Sequence, residues 1–223
     1  MNSIMKYSMN KHDKTAELAR RLTELYPVMS CPLEYNQQPW RLLIMTMLAA
    51  QCTDARVNIV CAVLFEQYPN VEDLASASLK DVETIIRPCG LYVTKSRNII
   101  ATAQLLISQH NGIVPNDIEA LLALPGVGRK TANLILSEIF GIPTIIADTH
   151  CMRLAVRMGL CDKKDPLLVE RTLEKLVPTE YHLHFSSRMF RYAQQTCTSR
   201  SPKCTDCILV DLCEYKLDQI RCR

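Results

Sequence analysis

Gly126 and Gly128 bracket Val127 between two runs of helically spaced apolar residues, Ile118, Leu121 and Leu122 before them and Ala132, Ile135, Leu136 and Ile139 after. Glycine adopts backbone angles that other residues avoid, so this spelling predicts a tight turn between two helices. The second helix then begins with outward-facing N–H groups and the positive end of its macrodipole. Such a terminus binds an anion without reading a base, and a DNA phosphate is the natural ligand.

Elsewhere the apolar residues recur at three and four, as in Leu18, Leu22, Leu25 and in Val82, Ile85, Ile86, while strand-like alternation is nearly absent. The chain is therefore predicted to be all-α. Helix starts are marked at Asp13, Asp54, Ser78, Thr94, Asp117 and Asp165-Pro166, and stops at Gly112, Gly141 and Gly159. Lys plus Arg number 26 against 23 Asp plus Glu, so the overall charge alone does not announce a nucleic-acid partner. Met1 to Asn10 lacks the apolar core of a signal peptide, and no apolar run reaches the roughly 18 residues of a membrane span.

Eleven cysteines without an export signal point to a reducing compartment rather than a disulfide scaffold. Cys31, Cys52, Cys61, Cys89, Cys151 and Cys161 are scattered among apolar or helical residues and read as buried thiols, while Cys222 lies at the end. Cys197, Cys204, Cys207 and Cys213 instead form C-x6-C-x2-C-x5-C. Four thiols so close in sequence are a metal signal, and zinc and a [4Fe–4S] cluster both accept that donor set. Arg200 and Lys203 fall between the first two ligands and would form a basic loop touching phosphate.

Lys130 falls in the first turn after Gly128, where the helix dipole favours a neutral amine. Lowering a lysine from about 10.4 to about 7–8 takes roughly 3–4 kcal/mol, more than the dipole supplies. Partial burial or a nearby cation is expected to contribute the rest. A neutral amine there could attack a sugar carbon; a charged one would bind phosphate or face solvent. Asp148, eighteen residues on, precedes a helical stretch and reads most simply as an N-cap. His150 is read as part of that helix start.

The segment Leu124 to Ala132, together with Ala50-Gln51-Cys52-Thr53-Asp54, Gly90-Leu91-Tyr92, Lys95, Ala147-Asp148-Thr149-His150 and the four late cysteines, resembles the helix-hairpin-helix DNA glycosylases of the endonuclease III type, over about residues 13–216. That resemblance implies a six-helix barrel over 32–142, with the hairpin at about 116–140, and an iron–sulfur domain from 1–31 plus 143–223, with DNA in the cleft between them. It implies a bifunctional glycosylase and abasic-site lyase acting on oxidised pyrimidines in double-stranded DNA, with Lys130 as nucleophile and Asp148 as its acid/base or electrostatic partner. The cysteine spacing favours [4Fe–4S] over zinc. Gln51 would fill the gap left by the extruded nucleotide and Leu91 would wedge into the opposite strand. Lys95 is read as a phosphate contact or solvated charge, and Gly126, Gly128 and Arg129 as part of the DNA-facing hairpin. A monomer in the bacterial cytoplasm, associated with the nucleoid, is expected.

The chain departs from that pattern at Tyr192-Ala193-Gln194, where relatives usually carry His-Gly-Arg, and at Cys52, where a small alanine is common. The triplet is expected to alter which bases are accepted rather than whether abasic DNA is cut. Two other classes compete: a monofunctional adenine or mismatched-thymine glycosylase, and a non-catalytic lesion reader. Lys130 argues against the first, and Lys130 with Asp148 against the second. No acid lies between Arg41 and Thr53, where adenine glycosylases carry a catalytic glutamate.

Overall fold

The computed structural model describes residues 9–215, so Cys222 lies outside the described residues. It divides into two compact units, one formed by Met1–Met29 with Pro143–Arg223 and the other by Ser30–Ile142. In chain order the helices are α1 (Lys11–Leu25) in the first unit, then α2 (Pro39–Leu48), α3 (Asp54–Gln67), α4 (Val71–Ala75), α5 (Leu79–Ile86), α6 (Tyr92–His110), α7 (Ile118–Leu122) and α8 (Arg129–Phe140) in the second. The first unit resumes with α9 (Thr149–Arg157), α10 (Pro166–Leu176) and α11 (Thr179–Gln195). Short 3-10 turns cover Arg87–Cys89 and Val210–Leu212. Among the described residues the fold is all-helical.

The Ser30–Ile142 unit contains seven helical segments among its described residues, of which α4 and α7 have five residues each. Its centre is α2, where Leu42, Leu43, Ile44, Met45 and Leu48 are all buried. A helix apolar on every side can be stable only when neighbours cover every side, here α3, α6 and α8. At its edge Trp40 meets Phe65 edge-on at 5.1 Å between ring centroids, and the Arg41 guanidinium lies over both rings.

The other unit closes around Leu18 and Leu22 of α1, Leu154 of α9, and Phe185, Met189 and Tyr192 of α11. Helix α11 is kinked at Leu183 and His184, whose φ of 65° interrupts the helical run. The buried Arg188 spans this kink, donating to the Leu183 carbonyl and, through Nε, to the Tyr26 carbonyl at the end of α1.

Asp117 and Asp165 cap their helices as expected, each accepting a backbone amide three residues on. Ser78 is the N-cap of α5 but its side chain makes no capping bond. Asp13 and Asp54 are not caps. Asn10 and Thr53 take those places, leaving the two acids in the first turn, where they complement the dipole. Thr94 lies inside α6, which is entered instead through Leu91 in the left-handed region. Gly112, Gly141 and Gly159, all at positive φ, follow or cap helix ends. No described helix is long and apolar enough to cross a membrane.

Candidate functional site

The hairpin joins α7 to α8 through a turn closed by the Val127 amide on the Leu124 carbonyl, with Leu124 and Val127 buried beneath it. Gly126 is required here. Its φ is +78°, and a Cβ would lie 2.5 Å from the Asn98 side-chain nitrogen on α6. Gly128 has φ −98° and ψ 173°, which any residue adopts, and a Cβ there would meet nothing of the protein. As N-cap of α8 it supplies no side-chain acceptor, unlike Asp117 or Asp148 at their helices. Arg129 and Lys130 follow, both exposed. Lys130 is itself exposed in the first turn of α8.

Gln51 and Leu91 occupy two turns of the same unit. Both are exposed, Leu91 at 61%, and both have left-handed backbones, with φ of 58° and 49°. A bulky apolar side chain at positive φ costs on the order of 1–2 kcal/mol and persists only where the surroundings impose it. Lys95 departs from its reading as a phosphate contact. It is 7% exposed, and its Nζ donates to the Leu48 carbonyl at 2.9 Å and to the Ala50 and Cys89 carbonyls at 2.8 Å. All three ammonium protons are used inside the protein, leaving none for DNA. Burial holds its pKa below the usual lysine value. Burial and then the neighbouring Cys52 thiol push the Cys89 thiol up to about 11.

In the other unit Asp148 is half-buried and caps α9, accepting the Cys151 amide at 2.7 Å. The second carboxylate oxygen leaves the residue able to stabilise charge while its direction is fixed by the cap. His150 lies tilted against Phe190, with ring centroids 4.8 Å apart, and meets Arg153, in keeping with a packing role.

The four late cysteines lie in the loop after α11. Arg157, on the last turn of α9, bridges its two ends: its guanidinium reaches Cys197 Sγ at 3.1 Å, and its own carbonyl accepts from Cys213 Sγ at 3.4 Å. The same guanidinium donates to the Thr198 and Ser199 carbonyls, and Arg153 donates to those of Cys197 and Ala193. On the far side the Tyr192 hydroxyl lies 3.0 Å from Cys207 Sγ. Burial, then this contact, raises the phenol pKa. N–H and O–H groups aimed at thiol sulfurs are what a buried iron–thiolate group requires, and the donor set fits. Among the described residues, no three His, Cys, Asp or Glu side chains are gathered tightly enough to hold a single metal ion. Arg200 and Lys203 are exposed on this loop.

Residues 44–179 match the family described as HhH-GPD superfamily base excision DNA repair protein, and 197–213 match the iron–sulfur binding domain of endonuclease III. Endonuclease III of Synechocystis is 39% identical over 214 residues, covering 96% of this chain and 97% of that one. The chain belongs to the endonuclease III family. Endonuclease III of Escherichia coli K12 is 42% identical, covering 93% of this chain and 98% of its own. The solved structure of a trapped endonuclease III–DNA covalent intermediate superposes with a TM-score of 0.88 at 39% identity, covering 96% of this chain and all of that one. A thermostable thymine-DNA glycosylase, at 22% identity and TM-score 0.83, shares the fold.

An endonuclease III-type chain is a base-excision-repair DNA glycosylase with abasic-site lyase activity, it binds DNA, and its cofactor is an iron–sulfur cluster. Arg153 and Arg157 were missed in the sequence, and Tyr192, singled out there for base selection, instead faces Cys207. The two arginines, four apart on α9, carried the only available signal, a pair of cations on one helix face. Tyr192 and Ala193 are 1% and 0% exposed, so neither presents a surface to a base, and the expectation that the triplet selects substrates is left to the exposed Gln194 alone.

Proposed function

We propose that this chain excises oxidised pyrimidines from duplex DNA and then cuts the abasic strand by β-elimination, with Lys130 as nucleophile. The observation that carries this reading is the start of α8: an uncapped helix terminus, an open space over Gly128, and Lys130 exposed in the first turn. Nothing within the protein demands glycine at 128, whereas a phosphate drawn against the α8 amides would.

In this reading the Lys130 amine, once it has given up a proton, attacks the sugar C1′. The base leaves with the glycosidic electron pair and takes up a proton, and opening of the sugar ring leaves a protonated imine between Nζ and C1′. The imine acidifies the C2′ proton, whose loss expels the 3′ phosphate. Hydrolysis then frees the lysine. Asp148 stabilises positive charge on the sugar in the first step, its direction fixed by the Cys151 amide.

Cys197, Cys204, Cys207 and Cys213 would hold a [4Fe–4S] cluster, which supplies four iron–thiolate bonds that close the loop bearing Arg200 and Lys203. Those two cations, with Arg129, contact phosphate, while Gln51 and Leu91 enter the stack. We take the protein to act as a monomer on damaged or abasic duplex DNA, in the cytoplasm and associated with the nucleoid. The test is borohydride reduction during turnover on single-lesion duplexes. A covalent protein–DNA product lost in Lys130→Ala is expected, and equal trapping by that variant would overturn the assignment.

A further inference from the structure

We propose that Lys95 is a positioning residue that ties together the two turns carrying Gln51 and Leu91, and so sets the geometry with which both enter DNA. This rests on the reading of those two residues as the ones that occupy an opened base stack.

Lys95 stands in the first turn of α6, four residues after Leu91. Its ammonium takes the Leu48 and Ala50 carbonyls at the end of α2 and the Cys89 carbonyl at the end of the 3-10 turn. The Leu48 carbonyl belongs to the C-terminus of α2, the negative end of its dipole, so it suits a buried cation. Ala50 is the residue before Gln51. Cys89 is separated from Leu91 only by Gly90, itself at φ +67°. One charged group is therefore bonded to two turns that each carry a left-handed residue with an exposed side chain.

An ordinary core residue would stabilise the unit without regard to substrate. A clip that aims two intercalating side chains matters only when there is a stack to enter. An abasic site in a duplex presents such a stack and an opposing base, whereas the same strand alone presents the same sugar chemistry without them.

The experiment measures single-turnover cleavage of an abasic site in duplex and in single-stranded form by the full-length, cluster-loaded protein, and reads the duplex-to-single-strand rate ratio. Lys95→Met, close in length and without donors, should lower that ratio about tenfold or more. Gln51→Ala and Leu91→Ala are run beside it. If they lower the ratio while Lys95→Met cuts both substrates with an unchanged ratio, the positioning role is overturned and the reading of Gln51 and Leu91 stands. If none of the three moves the ratio, that reading itself fails and the proposal with it.

Should Lys95→Met not fold, Lys95→Gln, with two amide protons, replaces it. A smaller drop in the ratio is then expected, and an equal loss on both substrates again overturns the role. A 2-aminopurine opposite the abasic site gives a second readout. Its fluorescence on binding should rise less with the Lys95 variant than with the unaltered protein, and an undiminished rise would count against the clip.

Discussion

The Tyr192 hydroxyl and Cys207 Sγ lie 3.0 Å apart, joining the end of α11 to the third of four late cysteines. The phenol stands at the position where the family resemblance led to the expectation of histidine. A donor facing a thiolate stabilises the more negative state of whatever the thiolate binds.

Tyr192→Phe should therefore lower the reduction potential of the cluster, by about 1 kcal/mol or ~40 mV for one electron. A redox titration followed by visible absorbance checks this. Loss of the band on exposure to air should be faster than in the unaltered protein, with helix content unchanged in the far ultraviolet.

Asp148 carries two roles that substitution separates. Asn caps helices as well as Asp, so Asp148→Asn should leave stability within about 0.5 kcal/mol while lowering the excision rate by roughly a hundredfold or more. Asp148→Ala removes the cap as well and should cost about 1 kcal/mol of unfolding free energy. Denaturant titration beside single-turnover kinetics distinguishes the two. An Asn variant with undiminished rate would leave only the cap.

The hairpin glycines should answer oppositely to alanine. Gly126→Ala drives a methyl into Asn98 at positive φ and should destabilise by about 1–3 kcal/mol. At Gly128 the backbone is permissive and the space open, so Gly128→Ala should leave thermal stability unchanged or slightly raised, by up to about 1 kcal/mol. Its affinity for duplex DNA should nonetheless fall, because the methyl would occupy the approach of a phosphate. Binding isotherms at fixed salt are the measurement.

Acid should weaken the unit that holds the cysteines through a carboxylate pair around Arg21. Arg20 and then Arg21 hold Glu17 down to about 2, and Arg21 likewise depresses Asp211. Both carboxylates are held below their unfolded values, so their stabilisation is complete above about pH 5 and is lost as pH falls toward 2. Both pairs are partly solvated, so the whole effect is about 1 kcal/mol. Glu17→Gln should flatten the pH dependence of the melting temperature between pH 5 and about 2.5 and change little at pH 7.

Helix type and helix ends were legible because they depend on neighbours in sequence. Asp117 and Asp165 each bond an amide three residues away, and Gly112, Gly141 and Gly159 each meet a local need for positive φ. Asp13 misled by three positions and Asp54 by one, because Asn10 and Thr53, also good caps, stood before them. Lys95 was misread for a different reason. Its three carbonyls come from positions 48, 50 and 89, and no periodicity says where the end of a long side chain will settle. The same holds for Arg157, whose partners at 197–199 lie forty residues on. An exposed lysine and a buried one look alike in a sequence; only packing separates them.

The interrupted unit has a consequence for biogenesis. Helix α1 leaves the ribosome before the rest of its unit, yet among the described residues Leu18 and Leu22 share their core mostly with residues after Pro143. Ser30–Ile142, continuous in sequence, can close as soon as it emerges, while α1 must wait with an apolar face uncovered. Each closing of that long loop carries an entropic cost that grows only slowly with its length, so the delay is set mainly by synthesis. Arg153 and Arg157 are made before the cysteines they contact, so the partners of the metal-binding loop already exist when its last ligand is translated.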